Sequence, residues 1–193
     1  MVRAFLAIDL PEELKKKLSE LSKIEAPEKT KLKWVEEENL HITLHFFGNI
    51  TEKLAERILK KCKEAFEEFG PFTLEITELG HFSNRGIPRV IWIGIFDISE
   101  TLFRIHKALK EVLKKLKLEQ SKEEFHPHIT ILRVKEVNEE ETFKRFYEDL
   151  KKVAQWYKGL KFPVREIILF KSELSPRGPK YTPIGKIPLE KRS

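Results

Sequence analysis

An α+β fold is predicted for this chain of 193 residues. Strand-like and helix-like segments are interspersed along it, and several neighbouring strand segments are joined by connections too short for a parallel crossover. The longer helical segments each carry one apolar face, which suits helices packed on the outside of antiparallel-rich sheets. The length allows one domain or two small lobes sharing a cleft. No Gly/Ser linker, low-complexity block or long charge run interrupts residues 1–193, so they are read as a single domain.

Residues 2–8, Val2-Arg3-Ala4-Phe5-Leu6-Ala7-Ile8, read as a strand. Asp9 and Pro11 start a helix reaching about Leu21, because proline suits the first helical position. Residues 32–35 form a short strand. Residues 40–47 are dense in β-branched and aromatic types and end at the turn pair Gly48-Asn49. Thr51 caps a helix to about Phe69, with Leu54, Ile58, Cys62, Ala65, Phe66 and Phe69 on one face. Strands 72–79 and 89–96 flank a loop at 81–88, and Ser99 caps a third helix whose apolar face carries Leu102, Ile105, Leu109, Val112 and Leu116. A strand at 128–134, a charged helix at 139–157 and strands at 162–170 and 181–189 complete the chain, the last two joined by the turn-rich segment 175–179.

Composition narrows the function. Hydrophobic residues make up 40% and charged residues 35%, and no apolar run reaches the roughly 18 residues that a membrane span needs. Residues 1–10 carry too short an apolar core for a signal peptide, and no small-residue cleavage site follows. The lone Cys62 excludes an intramolecular disulfide and a cysteine zinc site, so a cytoplasmic location is expected. A net charge of +6 favours polyanionic partners, nucleic acid first. Abundant Lys and Glu with few amides predict a thermostable surface.

One tetrapeptide recurs 87 residues apart: His41-Ile42-Thr43-Leu44 and His128-Ile129-Thr130-Ile131. In a strand, residues i and i+2 share a face and lie roughly 6.5 Å apart. Each copy therefore presents His and Thr on one face and apolar residues on the other. Imidazoles titrate near neutrality, so a pair of them can supply a general base and a general acid, with threonine hydroxyls donating to phosphoryl oxygens. That set suits in-line attack at phosphorus with no cofactor.

The two His-x-Thr-x motifs resemble those of the two-histidine phosphoesterase superfamily. Arg3-Ala4-Phe5-Leu6-Ala7-Ile8-Asp9-Leu10-Pro11, Trp34-Val35 through Phe47-Gly48, Pro88-Arg89-Val90-Ile91-Trp92, Pro127 through Arg133, and Ser172 through Tyr181 are similar to its RNA 2′,3′-cyclic phosphodiesterase branch, also called 2′-5′ RNA ligase. The resemblance implies a bilobal fold with pseudo-twofold symmetry, two antiparallel-rich sheets and a cleft between the lobes. It implies His41 as proton donor to the leaving ribose oxygen, His128 as the base that activates water, and Thr43 and Thr130 as phosphate holders. Arg133 matches a basic residue that often follows the second motif. The expected substrate is RNA ending in a 2′,3′-cyclic phosphate, tRNA fragments included, acted on by a monomer. The reverse reaction would be 2′-5′ ligation. A small cyclic nucleotide or an ADP-ribose cyclic phosphate is the alternative substrate.

Two positions sit awkwardly with the branch. His45 stands where it usually has Lys or Arg, and by period two it shares a face with His41 and Thr43. By the same count Arg133 points away from His128, and it reaches the site only if the strand bulges. Two rival readings use the same residues. A zinc site could draw on His41, His45, His126 and His128, but it leaves the threonines unexplained and lacks an HExxH motif, so no metal is expected. A non-catalytic RNA-binding module would use Phe82, Trp34 and Tyr181 to stack bases; Phe82, in a polar loop, is the best candidate of the three.

Overall fold

Ala4 to Ile8 are each no more than 1% exposed, although their strand carries polar neighbours at both ends. A strand buried on both faces belongs at the centre of a sheet. The structure, a computed structural model, describes residues 1–191. The elements in chain order are β1 (Val2–Asp9), α1 (Glu12–Ser19), β2 (Thr30–Trp34), β3 (His41–Ile50), α2 (Glu52–Phe66), β4 (Phe72–Asn84), β5 (Ile87–Phe96), α3 (Thr101–Lys115), β6 (His128–Val137), α4 (Glu140–Ala154), β7 (Lys161–Val164), β8 (Glu166–Ser175) and β9 (Gly178–Pro188).

Every ladder is antiparallel, in the order β7-β4-β5-β6-β3-β1-β8-β9, with β2 also paired to β6. The α+β class stands. The two expected sheets are continuous in pairing and form one nine-stranded sheet. Its halves meet at a single registered pair, Ile42 opposite Ile129. The order is symmetric about that junction, with a His-x-Thr strand innermost in each half.

Leu14 and Leu18 of α1, Ile58 and Cys62 of α2, Leu102 and Ile105 of α3, and Phe143 and Leu150 of α4 all enter one core cluster. Leu6, Ile8, Ile42, Leu44, Ile91, Ile93 and Ile129 of the strands face the same cluster. A second, small cluster of Phe5, Ala7, Ile168 and Phe170 lies on the other face of the sheet. The side chains of β1 alternate between the two.

Local differences from the sequence reading have identifiable causes. The strand expected at 162–170 is two strands: β7 pairs with β4 at one edge, and β8 pairs with β1 in the other half. The expected loop at 81–88 is mostly a hairpin, because Phe82 to Asn84 remain paired and only Arg85 and Gly86 turn, both at positive φ. Such a primed turn matches strand twist, but Arg at its first position hides it from a sequence reading. Thr51 does cap α2, its hydroxyl accepting from Leu54 N at 3.0 Å. The first turn of α3 is held from further out, where Asp97 Oδ2 accepts from Leu102 N at 2.7 Å and Oδ1 accepts from both Ser99 N and Ser99 Oγ. Among the described residues no helix is long and apolar enough to cross a membrane.

Asp97 is 5% exposed and satisfies three donors at once. Asp97→Ala is therefore expected to cost about 1–2 kcal/mol in chemical denaturation, and Ser99→Ala less, the magnitude usual for a lost helix cap.

Candidate active site

The Ile42–Ile129 pair determines what faces what. Both isoleucines are 0% exposed and point into the main core. His41, Thr43, His128 and Thr130 must then point to the opposite face. Antiparallel pairing about that bridge sets His41 beside Thr130 and Thr43 beside His128, with the two histidines on a diagonal, where such neighbours lie about 7 to 8 Å apart. The four residues predicted from the repeat are thus gathered on one surface, related by a local twofold.

The two imidazoles are held alike. His41 Nδ1 lies 2.6 Å from the carbonyl of Asn39, and His128 Nδ1 lies 2.6 Å from the carbonyl of His126. A carbonyl only accepts, so each Nδ1 carries a hydrogen and each Nε2 is the nitrogen left for proton exchange. His41 Nε2 is 2.8 Å from Thr43 Oγ1. Asn39 is itself fixed, its Nδ2 donating to Pro179 O at 2.7 Å.

A β-bulge falls on the last residue of each motif. On β3, Ala7 pairs with Thr43 and Leu6 with His45, which leaves Leu44 extra. On β6, Trp92 pairs with Thr130 and Ile91 with Leu132, which leaves Ile131 extra. Each bulge advances the side-chain phase by one residue. Period two therefore fails for His45. Its strand partner Leu6 faces the main core, its ring packs on Phe47 with centroids 4.7 Å apart, and its charge bears on His106 of α3. His45 is not on the face of His41, and Phe46 takes that place. The same shift turns Arg133 onto the face of His128 and Thr130. Its charge bears on both His128 and Tyr181, and among the described residues it makes no ion pair or hydrogen bond of its own.

Aromatic rings flank each histidine. Phe5 and Tyr181 lie 5.1 and 5.4 Å from the His41 ring, and Phe46, 53% exposed, packs on Phe5 at 5.2 Å. Phe82 stands edge-on to His128 at 5.0 Å, while Trp92 and His126 close the same side. The sequence reading singled out Phe82 but missed Phe46, whose position depends on the bulge. Trp34, another of its three stacking candidates, packs instead on Phe146 of α4.

Burial is the largest influence on both imidazoles and pushes each below the ordinary histidine value. For His41 the Asn39 carbonyl and the Asp9 carboxylate oppose that fall, while Lys15 and His128 add to it. For His128 the His126 carbonyl opposes it, and the charges of His126 and Arg133 add to it. Asp9 and Lys15, which meet His41 only in the folded sheet, were not visible as site residues in the sequence. Among the described residues no three or more His, Cys, Asp or Glu side chains converge as a metal site.

Known proteins bear on this geometry. The chain is 36% identical over 181 residues to the RNA 2′,3′-cyclic phosphodiesterase of Methanocaldococcus jannaschii, covering 93% of this chain and 96% of that one. It is 35% identical over 183 residues to the protein of the same name from Archaeoglobus fulgidus, with the same coverage. A crystal structure from Thermus thermophilus superposes with a TM-score of 0.77 at 28% identity over 97% of both chains. E. coli LigT in complex with phosphate shares the fold, with a TM-score of 0.72 at 22% identity over 98% of both. The family model described as 2′-5′ RNA ligase superfamily matches residues 10–175, a span that holds both His-x-Thr strands and the bulges after them, and this chain belongs to that superfamily.

Proposed function

We propose that this protein hydrolyses the 2′,3′-cyclic phosphate at RNA 3′ ends to a 2′-phosphomonoester by metal-independent acid–base catalysis. The observation that carries this reading is the matched pair of imidazoles, each anchored through Nδ1 to a backbone carbonyl and set with its threonine on one sheet face. The names of the relatives supply the substrate class.

His128 Nε2 takes a proton from water as the water oxygen attacks phosphorus. The bond from phosphorus to the ribose 3′ oxygen breaks in line, and that oxygen takes the proton from His41 Nε2. The products are a 2′-phosphate and a free 3′ hydroxyl. The local charges suit this division of labour, since Asp9 favours protonated His41 whereas Arg133 and His126 favour neutral His128. Thr43, Thr130 and Arg133 hold the phosphoryl oxygens, and Phe82 offers a ring to the base. Replacing water by a ribose 5′ hydroxyl gives the reverse-type reaction, a 2′-5′ joint.

The direct test is incubation with an oligonucleotide ending in a cyclic phosphate and identification of the product isomer. A 3′-phosphate product or no turnover overturns the reading. EDTA is expected to leave the rate unchanged; loss restored by zinc or manganese would sink the metal-free mechanism.

The pH dependence of kcat/KM is expected to be a bell. It rises as His128 loses its proton and falls as His41 loses its own. Burial lowers both in the free protein, so this bell should centre at or below about pH 6.5, and the bound phosphate anion should move the kcat bell upward. His41→Ala and His128→Ala should each cost on the order of 10²–10⁴ in rate, and the double variant little more.

Arg133→Ala should weaken binding, flatten its salt dependence and move the acidic limb to higher pH, because a cation that favours neutral His128 is gone. His45→Ala should leave kcat/KM near wild type, as its ring faces α3. Kinetics of the two variants side by side decide between the bulged register and simple period two.

A further inference from the structure

One break in the twofold that relates the two histidines falls on the strands directly beside them. On β1 the residue registered opposite His41 is Asp9, and on β5 the residue registered opposite His128 is Gly94. Gly94 presents no side chain at all, and a Cβ there would collide with the Thr77 hydroxyl and crowd the Glu78 carbonyl. Asp9 is paired. Its Oδ1 lies 2.8 Å from Lys15 Nζ and accepts from Leu10 N at 3.1 Å. Lys15 is only 3% exposed, and its ammonium also donates to Glu38 O at 3.1 Å. An ammonium so far removed from water persists only where it is paired, and it holds its partner in place. The charged or titratable groups facing His41 are Asp9 from β1, Lys15 from α1, His128 from β6 and Tyr181 from β9.

We propose that the Asp9–Lys15 pair is the positioning device that makes two structurally equivalent imidazoles unequal, with Asp9 holding the proton on His41 and Lys15 fixing the carboxylate where it can do so. The inference rests on the proposed acid role of His41 and adds to it the residues that assign the role. No hydrogen bond joins Asp9 to His41, so the carboxylate acts through its charge. The Lys15 charge acts on His41 with the opposite sign and more weakly, as its place behind Asp9 requires. One polar pair on β1 and α1 thus biases the two halves of a near-symmetric site.

The test is NMR titration of the imidazole resonances of the free full-length protein, run beside kcat/KM against pH on an oligonucleotide ending in a cyclic phosphate. Asp9→Asn is expected to lower the His41 midpoint by about one pH unit and to carry the alkaline limb down with it, while His128 moves much less. Because Asp9→Asn leaves the buried ammonium with the more distant Glu12 carboxylate, at 3.8 Å, in place of Asp9, the double variant Asp9→Asn with Lys15→Met serves where the single one unfolds. It should melt near wild type and still hold His41 below the wild-type midpoint. Unchanged His41 titration in the folded variants, or equal shifts of His41 and His128, would overturn the proposal. The NMR arm needs no turnover, so a wild type that fails to hydrolyse the oligonucleotide would sink the proposed function and be told apart from failure of this inference.

Discussion

The two halves of the sheet touch through one backbone pair, Ile42 opposite Ile129, and the candidate site exists because of it. With a single bridge the strands meet, set the facing of four polar side chains, and part. The two isoleucines lie wholly within the helix-side core, so the register is enforced by apolar burial. A slip of one residue would turn His41, Thr43, His128 and Thr130 inward and the isoleucines outward, and the cost of burying those polar groups forbids it.

The bulges at Leu44 and Ile131 continue the same logic. Each lets two successive residues serve the core side, so the strand returns to the polar face one residue later than alternation predicts. The backbone treats both copies alike, and the side chains do not. The first copy returns Phe46 to the site face and the second returns Arg133. The result is a site with matched histidines and unmatched surroundings: Phe46 on the His41 side, and on the His128 side the Arg133 cation, which has no ion-pair partner among the described residues.

Burial and basicity are in tension here. Removing an imidazole from water disfavours its charged form, yet the proposed mechanism requires one of the two to carry a proton. Backbone carbonyls at Asn39 and His126 oppose the loss on both sides and fix the tautomer. Asp9 adds an anion on one side only. Under the proposed roles, that anion favours the proton on His41 and has no counterpart beside His128, a difference that burial of two like groups would not by itself provide.

Much of this was legible in the chain itself. Alternating β-branched and aromatic residues, the Thr51 cap, the helical apolar faces and the repeated His-x-Thr-x all depend on neighbours within a few residues, and local periodicity reports such neighbours well. The paired motifs marked His41, Thr43, His128 and Thr130 before any fold was known. What local order could not decide was phase after the motifs and partnership across strands. Whether Leu44 and Ile131 bulge depends on how β1 and β5 register against them, so His45 and Phe46 exchanged faces and Arg133 came to the site only in the folded sheet. Asp9 and Lys15 lie 32 and 26 residues before His41 and show no shared spacing with it. Only the pairing of β1 with β3, and the packing of α1 that buries the Lys15 ammonium, brings that charge to the imidazole.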